Sequence, residues 1–274
     1  MAGVPLSLDP VVLAALLAPA ALYVRAVRIL RRRGVRVSHV QQGAWWIGMT
    51  LEVIGLVSPL DAYADQVLSA HMAQHLLIGD VAAPFLLAGI RSPVLVFLLP
   101  RPVLVALARR GALRRAFRFA RRPLVALPIY IATIYGWHLA FLFEAALRHP
   151  AIHALQHQSF LAANLLLWWA VLEPKRRRMP GDLWKIAYIF AARMSTMFLG
   201  MGFVFAHGAL YGGFYGDRAM RYGFTPLGDQ QTAGGMMMIL DIVIMFLALC
   251  YFFWHAAAEG ARADAANRTV VPAA

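Results

Sequence analysis

Histidine is the residue type in this chain best suited to chemistry, and seven of the nine histidines are spaced as if to share one layer. His71 and His75 are four apart, and His149, His153 and His157 follow one another at the same interval. On a helix that spacing keeps each set on one face, turning by about 40° per step. His138 closes the run Tyr135-Gly136-Trp137-His138, and His207 ends an apolar stretch. Imidazole binds copper, zinc, iron and haem iron, and a pair at i, i+4 can hold one ion from a single helix. His71, His75, His153 and His157 are the strongest ligand candidates; His138, His149 and His207 sit at the ends of apolar runs and are weaker ones. The single cysteine, Cys250, excludes a disulfide framework and a Cys-x-x-Cys metal site within the chain. No His-Glu-x-x-His is present and no candidate base lies beside the histidine pair, so a metal-dependent hydrolase ranks last and the chain reads as a non-enzyme.

Other residues extend the set. Thioethers prefer Cu(I), which makes Met72 and Met236 possible ligands, although methionine is also ordinary packing material. Gln74 and Gln156 each precede a histidine, where they either orient an imidazole or bond a neighbouring helix. Glu52, Asp80, Arg193 and Asp241 fall in the middle of apolar stretches, where charges must pair or line a wet cavity. Arg193 is expected to pair with Asp80 or Asp241. Asp229 is expected to act in capping rather than in ligation.

The elements that must position these residues are membrane helices. The chain is 61% hydrophobic and only 14% charged, with a mean hydropathy of +0.63, too apolar for a soluble domain. Seven apolar segments each approach the ~20 residues that cross a bilayer: 10–30, 43–60, 68–89, 123–143, 150–172, 183–206 and 231–254. The net charge of +13 comes from basic blocks between these segments rather than from a nucleic-acid-binding surface. Of the 26 basic residues, all but Arg148, Arg193, Arg218 and Arg221 fall on one side of a seven-span topology, with the N-terminus out and the C-terminus in. The first ten residues carry no Lys or Arg, unlike a cleaved signal peptide, so the first helix is expected to be retained. Residues 92–122 mix arginines with Leu, Val and Phe and read as an inner-leaflet amphipathic segment in contact with membrane lipids. A single all-α transmembrane domain over 1–259 and a disordered tail over 260–274 complete the division. In this topology His71 and His75 lie ~5 to 10 Å below the outer boundary.

Three ordered stretches resemble the CtaG family of caa3-type cytochrome c oxidase assembly factors. They are His71-Met72-Ala73-Gln74-His75-Leu76-Leu77 through Ala83-Pro84, then His149-Pro150 to His157 followed by Trp168-Trp169, then Pro226-Leu227 with Asp229-Gln230-Gln231 into the Gly-Gly-Met of the last segment. The resemblance implies a multi-pass protein of the bacterial plasma membrane that matures a haem-copper oxidase, with oxidase subunits as partners and copper as the ion delivered. The histidine layer on the outer side agrees with copper delivery. The residues alone also allow a second reading, a b-haem electron-transfer protein whose axial ligands come from the paired histidines.

Overall fold

The computed structural model describes residues 9–172 and 183–270, with side chains described through 261. All regular structure among the described residues is helical. In chain order the helices are α1 (Pro10–Arg32), α2 (His39–Val57), α3 (Pro59–Ala64), α4 (Leu68–Gly89), α5 (Val94–Phe97), α6 (Arg101–Arg109), α7 (Gly111–Ala120), α8 (Pro123–Trp137), α9 (Ala140–Arg148), α10 (Pro150–Leu172), α11 (Leu183–Phe205), α12 (Gly212–Met220) and α13 (Pro226–Val270). Within α4 the stretch Leu76–Val81 is a widened π turn.

Four helices, α1, α4, α11 and the Pro226–Ala261 part of α13, are long and apolar enough to cross a membrane, and the bent pair α8–α9 makes a fifth candidate. Helices also stand where the second and fifth apolar segments were expected. They are more polar because they carry Glu52 on α2 and His153, Gln156, His157 and Asn164 on α10.

Helices α11 and α13 make the most extensive contact in the fold. Glycine permits it: a Cβ on Gly200 would lie 2.9 Å from the Gly234 carbonyl oxygen, and one on Gly234 would lie 2.6 Å from the Gly200 oxygen. Small residues that let backbones approach are the usual device of membrane helix packing. The same device brings α2 against α4, where a Cβ on Gly55 would fall 2.3 Å from Ile78 Cγ2.

The segment 123–143 is not one straight span: α8 ends at Trp137 and α9 leaves at 71°, with His138 at the corner. In α4 the π turn Leu76–Val81 stands just before Pro84. Proline has no N–H to offer the Asp80 carbonyl, and the wider turn changes the hydrogen-bond register there. The 92–122 segment forms three short helices, α5, α6 and α7. Neither α6 nor α7 has a buried residue, as suits a surface-lying segment. From residue 260 α13 continues as helix to Val270, in keeping with the high helix propensity of its alanines. The basic run Lys175, Arg176, Arg177 and Arg178 lies outside the described residues.

Candidate metal centre

Two helices supply the central group. The first two turns of α4 carry His71 and His75, and α10 presents His153 and His157 at the same spacing. Within each helix the paired ring centroids are 4.2 Å apart. Across the helices His71 lies 5.1 Å from His153, and His75 lies 4.9 Å from His157. The diagonals are 6.4 and 6.3 Å, so the rings stand at the corners of a near-rectangle. One nitrogen from each ring lies within 4.8 Å of the others.

His71, His75 and His157 are buried, while His153 is partly exposed. Neither nitrogen of His71 or His75, nor Nε2 of His153 or His157, has a hydrogen-bond partner among the described residues. A buried polar atom left unpaired costs about 1–3 kcal/mol, and native interiors contain few of them. One cation accepting four imidazole lone pairs satisfies one nitrogen on each ring, so the donor set fits a late first-row metal ion.

The surroundings fix these rings. Phe143 on α9 packs 5.2 Å from the His71 ring, which the bend after His138 makes possible. The segment 207–230, between α11 and α13, contains α12. Its Tyr215 ring lies 6.3 Å from His71, and its hydroxyl donates to the Ala64 carbonyl. Tyr211, just before α12, stacks on Phe143 at 4.2 Å and donates to the His138 carbonyl. Phe143, Tyr211 and Tyr215 therefore roof the group. Their sequence signal was a cluster of aromatics and glycines with no period that would tie them to the histidines.

The N-terminus of α4 is held from afar. No side chain at Val67 caps it. Instead the Asp229 carboxylate of α13 accepts from the backbone N–H groups of Leu68 at 2.6 Å and Ser69 at 3.0 Å. Asp229 does act in capping, but on the histidine helix, while Thr225 Oγ1 accepts from Gly228 N–H in the first turn of α13. In the short connection before α4, burial raises the Asp65 carboxyl above the usual carboxylate range. The nearby charge of Asp61 adds to this, and His153 and Arg218 oppose it.

The remaining candidates divide. His149 and His207 are exposed and lie outside the four-histidine group. His138 lies beside the group: it lines a cavity of about 30 Å³ that His75 also lines. Met72 faces that cavity, but Met237, not Met236, joins it from α13. Gln74 makes interhelical hydrogen bonds, donating at 2.8 Å both to the Gly55 carbonyl and to Asp61. The Gln156 side chain has no hydrogen-bond partner among the described residues. Arg193 pairs with Asp80 and, at 3.2 Å, with Asp241, and donates to the Tyr130 hydroxyl at 2.7 Å. The expected pairing is thus present with both acids at once.

The matches to known proteins follow the same residues. The family described as cytochrome c oxidase caa3 assembly factor matches residues 21–259, which include the four-histidine group and the Arg193 cluster. Uncharacterized proteins of Mycobacterium bovis and Mycobacterium tuberculosis are each 25% identical over 238 residues, covering 83% of this chain. The chain spans only 36% of the length of these relatives. No solved structure matches. With the match running through nearly the whole helical bundle, the chain belongs to the caa3-type cytochrome c oxidase assembly factor family.

Proposed function

We propose that this protein captures copper at His71, His75, His153 and His157 and passes it to a haem-copper oxidase during assembly. The observation that carries the reading is the juxtaposition of four imidazoles with one nitrogen from each within 4.8 Å of the others. Copper is cargo here, and the protein supplies a site from which it can leave. Neutral ligands leave the ion's charge unneutralised, and a partly exposed His153 gives an acceptor protein a place to start exchange. The proposed setting is the bacterial plasma membrane, with seven spans, the N-terminus out, the C-terminus in and the histidine group near the outer surface. The segregation of basic residues supports that orientation.

The geometry favours an ion over haem. The rings pack against one another, and the cavity at their edge, about 30 Å³, is far below the ~300 Å³ or more of a typical organic ligand pocket. A larger cavity of about 460 Å³ lies between α4, α10 and α13, but its lining contains no histidine.

The test is made in cells. A His71→Ala, His75→Ala double variant replacing the native protein should give an oxidase that retains haem but lacks copper. Restoration of the oxidase by added copper would support a delivery role. An oxidase with full copper content in the variant strain would overturn it.

A further inference from the structure

We infer that a second, cuprous-selective site lies below the four-histidine group, formed by the thioethers of Met72 and Met237 and the imidazole of His138, with His75 shared between the two sites. His138, Met72, Met237 and His75 all line the cavity of about 30 Å³. A void that size holds a water or a bare ion, since about 10–15 Å³ suffices for one water. Met72 and Met237 are 1% and 4% exposed, and both line this cavity.

His138 is prepared as a ligand. Its Nδ1 lies 2.7 Å from the Ile134 carbonyl oxygen, which can only accept. Nδ1 therefore carries the proton, and Nε2 keeps its lone pair. That Nε2 is buried and has no partner among the described residues. A backbone carbonyl that fixes one ring nitrogen so that the other is free is the usual arrangement behind a metal-ligating histidine.

The donors select the ion. Two thioethers and an imidazole form a soft set that favours Cu(I) over zinc or magnesium. Asp80 and Asp241, both paired to Arg193, also line the cavity. The ion enters and leaves this site as Cu(I), with no change of oxidation state. The order of transfer, from the four-histidine group through His75, rests on the function proposed above; the site itself rests on its own donors.

The test uses the full chain in detergent, loaded with Cu(I) without oxygen, with copper per chain and the copper-edge X-ray absorption spectrum as readouts. The wild type should hold two coppers per chain, with sulfur among the scatterers. Met72→Leu, Met237→Leu, a swap that keeps side-chain volume, should lose one copper and the sulfur signal. His153→Ala, His157→Ala should lose the other copper and keep the sulfur. If this second variant keeps both coppers, the four-histidine reading fails while the sulfur-bearing site stands. Wild-type copper bound by nitrogen alone would overturn the inference without depending on how any variant folds, and sulfur scattering undiminished in the methionine variant would overturn it as well.

Discussion

The carboxylate of Asp229 caps the helix of His71 from 161 residues away, accepting the backbone N–H of Leu68 at 2.6 Å. The last long helix thus fixes where the first histidine pair begins, and the four-histidine group depends on a contact outside it. Asp229→Ala removes a charged cap with two acceptor contacts and should destabilise the protein by about 1–3 kcal/mol. Asp229→Asn, which keeps an acceptor, should cost less. Thermal melts in detergent together with copper affinity check this. Equal behaviour of the Ala variant and the wild type in both would show that the cap does not hold the histidines.

Arg193 occupies the position where one residue satisfies three others. Its guanidinium reaches Asp80, Asp241 and the Tyr130 hydroxyl. Arg193→Leu leaves two acids without their cation inside the bundle. Breaking a buried pair in this way costs about 3–5 kcal/mol. Yield and melting temperature should fall sharply, and adding Asp80→Asn and Asp241→Asn should recover part of the loss. A stable Arg193→Leu protein would mean the acids have another partner.

The histidines should separate into two classes. His149 and His207 are exposed and outside the group, so His149→Ala and His207→Ala should bind metal as the wild type does. His157→Ala removes one corner and should weaken binding at least tenfold, the scale expected for losing a ligand when second-layer changes alone cost 10–100-fold. Titration with copper under competition by a chelator separates these outcomes. Equal loss in all three variants would indicate a site different from the rectangle.

Packing between α2 and α4 gives a further prediction away from metal. A Cβ at Gly55 would sit 2.3 Å from Ile78 Cγ2, whereas Gly202 has open space around its Cβ direction. Gly55→Ala should cost about 1–3 kcal/mol as an overpacking change, and Gly202→Ala should be neutral or slightly stabilising in its helix. Melting temperatures of the two variants make the comparison.

The sequence carried some of these relationships plainly and hid others. The four central histidines were legible because i, i+4 spacing fixes a shared face whatever the neighbours are, and the pairing of Arg193 followed from the cost of an isolated charge in an apolar segment. The corner at His138 was hidden, because Gly136-Trp137-His138-Leu139 contains no proline to end the helix. Met236, Met237 and Met238 point about 100° apart in succession, so which one reaches the cavity depends on how α13 packs on α11. The capping of α4 by Asp229 is a long-range contact and leaves no local pattern. The second and fifth apolar segments are helical where expected, but their histidines and other polar side chains lower their hydropathy.

The central claim is that four histidines on two helices hold one copper ion. It is tested most directly by metal analysis and an absorption spectrum of the detergent-purified full chain after copper loading, alongside the His71→Ala, His75→Ala variant. Copper should be found in the wild type with no haem band, and the histidine-bound copper should be lost in the variant. A Soret band, or copper retained unchanged by the variant, would contradict it.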